Sequence, residues 1–369
     1  MQHHDTDTDR LTAGEVLAGY LHARAADFLR SLRLYSESGS DTAAADQAAR
    51  ALRSSARRIG GSLHTYRALL DPAWADQLRK ELGWLSGTLA QEHACTARLH
   101  RLVGALARLS GAGAVAGAES VPVAVSVPAT RTEGANGAGP ALPGGTPTVA
   151  PTAPTAPAVT STLTVGASRA GALLERQLTL ARTRSHSAAL QALGSSRFHA
   201  VADAVAVLAS EVPLAPAAAA AAEVVLATPL TTTERQLLEA VSALPLAVAA
   251  HPYNAEALVH GLATAADGEA QDAPWHQVRQ LLRLHRYAQE VWCVGGAPDP
   301  LLAGAGQALD RHRDAAEAAA AAANAARTPR IAPATAYALG VLHADQRLEV
   351  EAARFAFQQV WQEAAVAAS

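Results

Sequence analysis

Lysine is almost missing from this chain of 369 residues: Lys80 is the only one, and arginine carries the rest of the basic charge. Part of that bias follows base composition, since the chain is also rich in Ala, Gly and Pro, residues of GC-rich codons. Arginine still matters chemically, because its planar fork holds phosphate oxygens two at a time and never loses its charge. Aromatic residues make up only 4%, so the 50% hydrophobic share rests on Ala, Val and Leu, which suits close-packed helices better than a sheet. The two cysteines, Cys95 and Cys293, are far apart and form no CxxC pair. This excludes a disulfide framework and fits a reducing compartment. No apolar run reaches the roughly 18 residues a membrane helix needs. The nearest, Pro213 to Pro229, is broken by Pro216 and Glu223. The start of the chain, MQHHDTDTDRLTAGE, has no apolar core of a secretory signal, and residues 1–10 are expected to be a disordered tail. A cytoplasmic location is the expectation.

Net charge is −3 with a pI near 6.5, which excludes a basic protein that coats nucleic acid or an anionic membrane by charge alone. Any anion site must be local. No G-x-S-x-G, H-E-x-x-H or P-loop is present, and Glu349-Val-Glu351 is the sole echo of a paired-carboxylate metal motif. No catalytic residue, metal or cofactor is expected, and the protein is read as a non-enzyme.

What the chain does have is a pair of cationic ladders. In ADQAARALRSSARRIGGSLHTYRALL, Ala45 to Leu70, helical spacing gathers Leu52, Ile59, Leu63, Tyr66 and Leu70 on one face. It gathers Arg50, Arg53, Arg57 and His64 on another. In WHQVRQLLRLHRYAQEVW, Trp275 to Trp292, His276, Arg279, Arg283 and Arg286 fall at offsets 0, 3, 7 and 10. The first three offsets repeat those of Arg50, Arg53 and Arg57. Like charges stacked three and four apart repel by a few tenths of a kcal/mol per pair unless an anion lies between them. A solvated face explains one such run; its duplication in an acidic chain points to an anion site. His312 is a further candidate donor beside Arg50 and His276, with Arg58, His64, Arg67, Arg79, Lys80, Arg311 and Arg313 behind them.

The rest of the chain reads as helices. Leu11 to Ser36 is the first, Gly39 to Thr42 a break with Asp41 and Thr42 as candidate caps, and Asp71-Pro72 the start of a long helix to Leu109. The Gly60-Gly61 pair is a candidate kink. Residues 111–166 are Gly, Ala, Pro, Thr and Val with three charges, and are expected to be a disordered insert. Helices are expected again over Ala167 to Leu193, Arg197 to Glu211, Thr231 to Leu244, Asn254 to Ala266, Trp275 to Trp292, Asp299 to Ala326 and Thr335 to Ala365. Nothing reads as a strand, so the class is all-α.

These ladders resemble the CHAD family, helical domains named for their histidines. RALRSSARRIG from Arg50 is similar to the family pattern HxxRVxxRRLR, and His276 to Tyr287 resembles HxxRKxxKRLRY. LDRHRD, Leu309 to Asp314, resembles the family's LGEHQD step. The resemblance implies two four-helix bundles related by a pseudo-twofold axis, residues 11–212 and 213–367, with basic helix faces lining a groove or pore. It also implies binding of inorganic polyphosphate and association with polyphosphate granules or a triphosphate-processing enzyme. Departures are plain: Arg50 replaces the family histidine, Gly60 and Gly83 replace basic residues, Glu92-His-Ala-Cys95 stands where RDxD is usual, and Leu284 replaces a basic neighbour. The first ladder is therefore thinned and the second nearly complete. The alternative is a degenerate bundle, structural or granule-associated, that no longer binds an anion.

Overall fold

The computed structural model describes residues 11–38, 41–111, 157–251, 265–293, 296–297 and 299–368. The expected tail, the expected insert over 112–156 and the helix expected from Asn254 lie outside the described residues, the last up to residue 264.

Within the described residues the chain forms ten α-helices and two 3-10 turns, Arg67–Leu69 and Pro216–Ala219. The helices are α1 (Ala13–Glu37), α2 (Thr42–Thr65), α3 (Pro72–Leu109), α4 (Pro157–Leu193), α5 (Ser196–Leu208), α6 (Ala222–Ser242), α7 (Leu246–Ala249), α8 (Ala265–Trp292), α9 (Pro300–Ala326) and α10 (Pro333–Ala368). The fold is all-α. Extended pairing is confined, among the described residues, to the isolated bridges Thr12 with Ala221 and Leu70 with Leu214.

Short polar side chains set the helix starts. Thr12 accepts from the Glu15 amide while Glu15 accepts from the Thr12 amide, closing a capping box on α1. Asp41 caps α2 through the amides of Ala43 and Ala44. Asp71-Pro72 and Asp299-Pro300 start α3 and α9 alike, the aspartate accepting a first-turn amide and the proline filling a position whose N–H needs no partner.

Proline is a weaker punctuator here than its sequence context implies. Pro229 and Pro274 lie inside α6 and α8, and Pro157 opens α4 ten residues earlier than expected. An interior proline costs about 3 kcal/mol. Burial on both sides of it outweighs that in α6, where Leu226 packs into one core and Leu237 and Val241 into another. Along 157–166 the backbone earns its helix through contact, since Leu163 packs beside the core shared by α3, α4, α9 and α10.

Three larger apolar clusters hold the fold together. The first joins α1, α2, α3, α5 and the start of α6 with Ala288 and Val291 of α8. The second joins the C-terminal part of α3 (Leu102, Ala105, Leu106) with α4, α9 and α10. The third joins α6, α7, α8, α9 and α10 around Trp275 and Phe357. Apolar contacts therefore do not part at residue 212. The physical reason is length: at 1.5 Å per residue, helices of 38 and 28 residues run on from one core into the next.

α4 and α10 meet almost backbone to backbone at Gly166, where a Cβ would collide with the carbonyl oxygen of Ala334. Gly166→Ala is therefore expected to destabilise by about 1–3 kcal/mol, read as a lower urea midpoint at unchanged m. Gly83 is exposed in α3 with nothing within 4 Å of a built Cβ. Gly83→Ala should raise the midpoint, by about 0.5–1 kcal/mol of helix propensity.

Candidate functional site

The two ladder helices are clamped together. α2 runs unbroken through Gly61; a Cβ there would overlap the ring of Tyr287 on α8, so its missing side chain lets the helices close up. Tyr66 donates to the carbonyl of Ala288 at 3.1 Å. Glu290 of α8 accepts from Tyr20 of α1 at 2.8 Å and from Arg58 of α2 at 2.9 Å. With Ile59 and Leu63 buried behind α2, and Trp275 and Val278 buried under α8, both ladders turn toward one space.

That space is a cavity of about 500 Å³ between α2, α3, α8 and α9. Arg53, Arg57 and Arg58 line it from α2, Arg279, Arg283 and Arg286 from α8, Arg98 and Arg101 from α3, and Arg313 from α9. Ala90, Ala94, Ala97 and Gly306 leave the room between them. Against nine arginines the wall carries two carboxylates, Asp310 and Asp314.

Five of the nine arginines are answered by acids. Arg58 pairs with Glu290, Arg279 with Asp310 at 2.5 Å, Arg98 with Glu317 at 2.6 Å, Arg101 with Glu349 at 3.5 Å and Arg313 with Asp314 at 2.5 Å. Arg53, Arg57, Arg283 and Arg286 have no carboxylate partner among the described residues. Arg53 is only 8% exposed and its Nε has no hydrogen-bond partner. Burial, then the neighbouring Arg57, Arg50 and Arg313, push its pKa down. Burial, then Arg279, push Arg283 down to about 10, with Arg57 adding to the effect. His93, also on the wall, is held below the ordinary imidazole value by burial and by Arg53 and Arg50. The side chains present thus place positive charge in a confined space without neutralising it.

The first rung of each ladder falls outside this space. Arg50, in the third turn of α2, is exposed and reaches the site only through its field on Arg53 and His93. His276 is exposed, its ring 5.5 Å from that of His312 and not on the cavity wall. His64 and Arg79 line a smaller pocket of about 250 Å³ that shares Arg57, Arg283 and Tyr287 with the cavity. Arg67 stands apart: exposed, it donates from two nitrogens to Asp76 at 2.7–3.1 Å. Arg311 is exposed and also off the wall.

His312 is a correction to the expected donor set. It is 1% exposed, stacked on Trp275, with Nε2 3.3 Å from Asp272. Burial outweighs the Asp272 carboxylate and lowers its pKa to about 4, so it is neutral at pH 7 and belongs to the packing between α8, α9 and α10. Glu349 and Glu351, the paired-carboxylate echo, also separate: Glu349 faces Arg101, while Glu351 is buried against Arg354 at 2.7 Å. No cluster of three metal-ligating side chains occurs among the described residues.

Sequence reasoning missed the contribution of α3. Ala90, His93, Ala94, Ala97, Arg98 and Arg101 recur at intervals of three and four, the signature of one helix face. Small residues beside cations read as an ordinary polar side in isolation; only the apposed ladders make them a wall.

An all-helical chain whose paired basic helices frame one arginine-lined cavity has the architecture of a known class. It belongs to the CHAD domain family, whose model matches residues 23–323, and this membership carries a polyphosphate-related function at the level of the family. The chain is similar to PptA from Streptomyces chartreusis, at 55% identity over 95% of this chain and 100% of that one, with a TM-score of 0.71. No curated protein matches it. No helix among the described residues is long and apolar enough to cross a membrane.

Proposed function

We propose that the cavity binds inorganic polyphosphate, with Arg53, Arg57, Arg283 and Arg286 as its principal ligands. The observation that carries this reading is the convergence of four arginines without carboxylate partners on one cavity, from two helices, in a chain of net charge −3. Family membership supports the same chemistry. A linear chain of phosphates fits better than a nucleic acid, which would want aromatic platforms for its bases. The one aromatic on the wall, Tyr287, lies beneath the Arg58 guanidinium at 5.8 Å. The role proposed is binding without catalysis, with Asp310 and Asp314 of the wall each held by an arginine. Association with polyphosphate granules, or with a triphosphate-processing enzyme, would follow from this cavity and is part of the proposal.

A salt titration tests it. Binding of long-chain polyphosphate should weaken with a log–log slope of about −3, from roughly 0.7 per contact for a flexible polyanion and four free arginines. Absence of binding at low salt would return the chain to the alternative of a structural bundle.

A further inference from the structure

We infer that His93 is a further ligand of the phosphate chain and that it enters the complex as an imidazolium, drawing a proton from solvent as the anion arrives. This builds on the polyphosphate reading above and gives that site a dependence on pH that arginines, charged throughout, do not provide.

His93 lies on α3 where the arginine cavity adjoins a groove of about 720 Å³ between α1, α2, α3 and α4. It is on the wall of both spaces, and Arg53 is the other residue they share. The side chain is half-buried, and no described residue hydrogen-bonds to either ring nitrogen. Both nitrogens are free to meet phosphate oxygens, and only the protonated ring donates from both. The other imidazoles nearby differ. His64 has Nδ1 3.3 Å from a guanidinium nitrogen of Arg79, and His312 is stacked on Trp275 off the wall.

The charges around His93 keep it neutral while the cavity is empty. Burial opposes a proton on the ring most, then Arg53 and Arg50 of α2, while Asp46 of α2 and Asp314 of α9 favour one less strongly. Asp314 is already held by Arg313 at 2.5 Å. Glu92, next to His93 on α3, is spent on His186 and Arg182 of α4 at 3.0 and 3.9 Å. From α8, Arg279, Arg283 and Arg286 add positive charge to the same cavity, and Tyr35 of α1 lines the groove as a neutral phenol. A polyphosphate reverses this field. It covers Arg53 with negative charge and gives both imidazole N–H groups an acceptor, and each of these favours the charged ring.

The imidazole Cε1–H resonance reads the proton directly. In the free full-length protein His93 should titrate below the ordinary imidazole value of about 6.5, and with saturating long-chain polyphosphate above it. A pKa that stays in place or falls overturns the inference. Each unit of rise is a tenfold gain in affinity at full protonation, so binding at fixed ionic strength should tighten about three- to tenfold from about pH 8.5 to about pH 6. Long chains keep the ionisation of their terminal phosphates, near pH 6 by analogy with phosphomonoesters, a small part of the total. In His93→Gln most of this gain should vanish, while affinity at about pH 8.5, where a free imidazole is neutral, stays within about twofold of wild type. In His100→Gln, exposed on the same helix and off both walls, the gain should persist. A loss in His93→Gln that is equal at both pH values would mark a packing role and overturn the proposal. Wild-type affinity that ignores pH overturns the proton uptake and leaves polyphosphate binding intact; no binding at either pH overturns both.

Discussion

Arg53→Gln together with Arg283→Gln is expected to lower affinity for long-chain polyphosphate by a factor of about 10² or more. Hydrogen bonds to charged groups contribute about 1.5–3 kcal/mol each, and two lost ligands amount to roughly two to four powers of ten. Fluorescence anisotropy at fixed low salt would measure it, and the salt slope should fall with the number of contacts. Thermal stability should hold or rise in the same protein. Arg53 is buried beside Arg57 and Arg50 and Arg283 half-buried beside Arg279 and Arg57, neither in an ion pair, so neutral side chains of similar length relieve strain in the unliganded fold. Arg279 makes a poorer target although it sits on the same ladder. Removing it frees Asp310, its partner at 2.5 Å, to place a naked carboxylate in the cavity, so a loss of binding there would mix a lost ligand with a new repulsion. Arg67→Gln and Arg311→Gln, at exposed positions off the wall, should leave affinity unchanged. A double variant at Arg53 and Arg283 that binds as tightly as the parent would show that the ladders are not the site.

The facing of the two ladders was legible because helix period is a local property: offsets of 3 and 7 put Arg53 with Arg57 and Arg279 with Arg283 whatever surrounds them. Which rungs meet was not. Arg50 and His276 share the phase of their ladders but lie a turn beyond the cavity, and only the crossing of α2 and α8 at Gly61 and Tyr287 decides where it ends. His312 shows the converse. It reads as a further anion donor within LDRHRD, yet it faces Trp275 and Asp272, because successive helix positions point about 100° apart. Helix ends at proline failed for a similar reason. A proline's local cost is readable in sequence, whereas the burial that outweighs it in α6 depends on helices far away in the chain.

Asp272→Asn should do the opposite of the ladder variant, unfolding the protein far more easily while sparing the site. Asp272 sits on α8, 4% exposed, and accepts from Arg347 and Arg354, both at 2.7 Å, with His312 Nε2 at 3.3 Å. Taking away its charge leaves two guanidiniums in the interior with only Glu351 to answer them, a loss of about 3–5 kcal/mol for a broken buried pair. Chemical denaturation of wild type and variant at neutral pH would show it. Acid titration supplies a second signature. His312 takes its proton at about pH 4 when folded and near 6.5 when unfolded, so stability falls as pH drops through that window. Burial pushes the Asp272 carboxyl up, but hydrogen bonds from His312 and Arg347 hold it well below the ordinary carboxylate range, so its contribution is present above about pH 4 and lost below. The variant should therefore lack the steeper loss below pH 4 that wild type shows. α8 carries both this anchor and the second ladder, which makes the pairing of results decisive: below its melting transition Asp272→Asn should bind polyphosphate within a few-fold of wild type, because Arg283 and Arg286 still face Arg53 and Arg57. A variant that stayed folded yet lost binding would mean that the buried cluster, and not the clamp of α2 against α8, sets the register of the site.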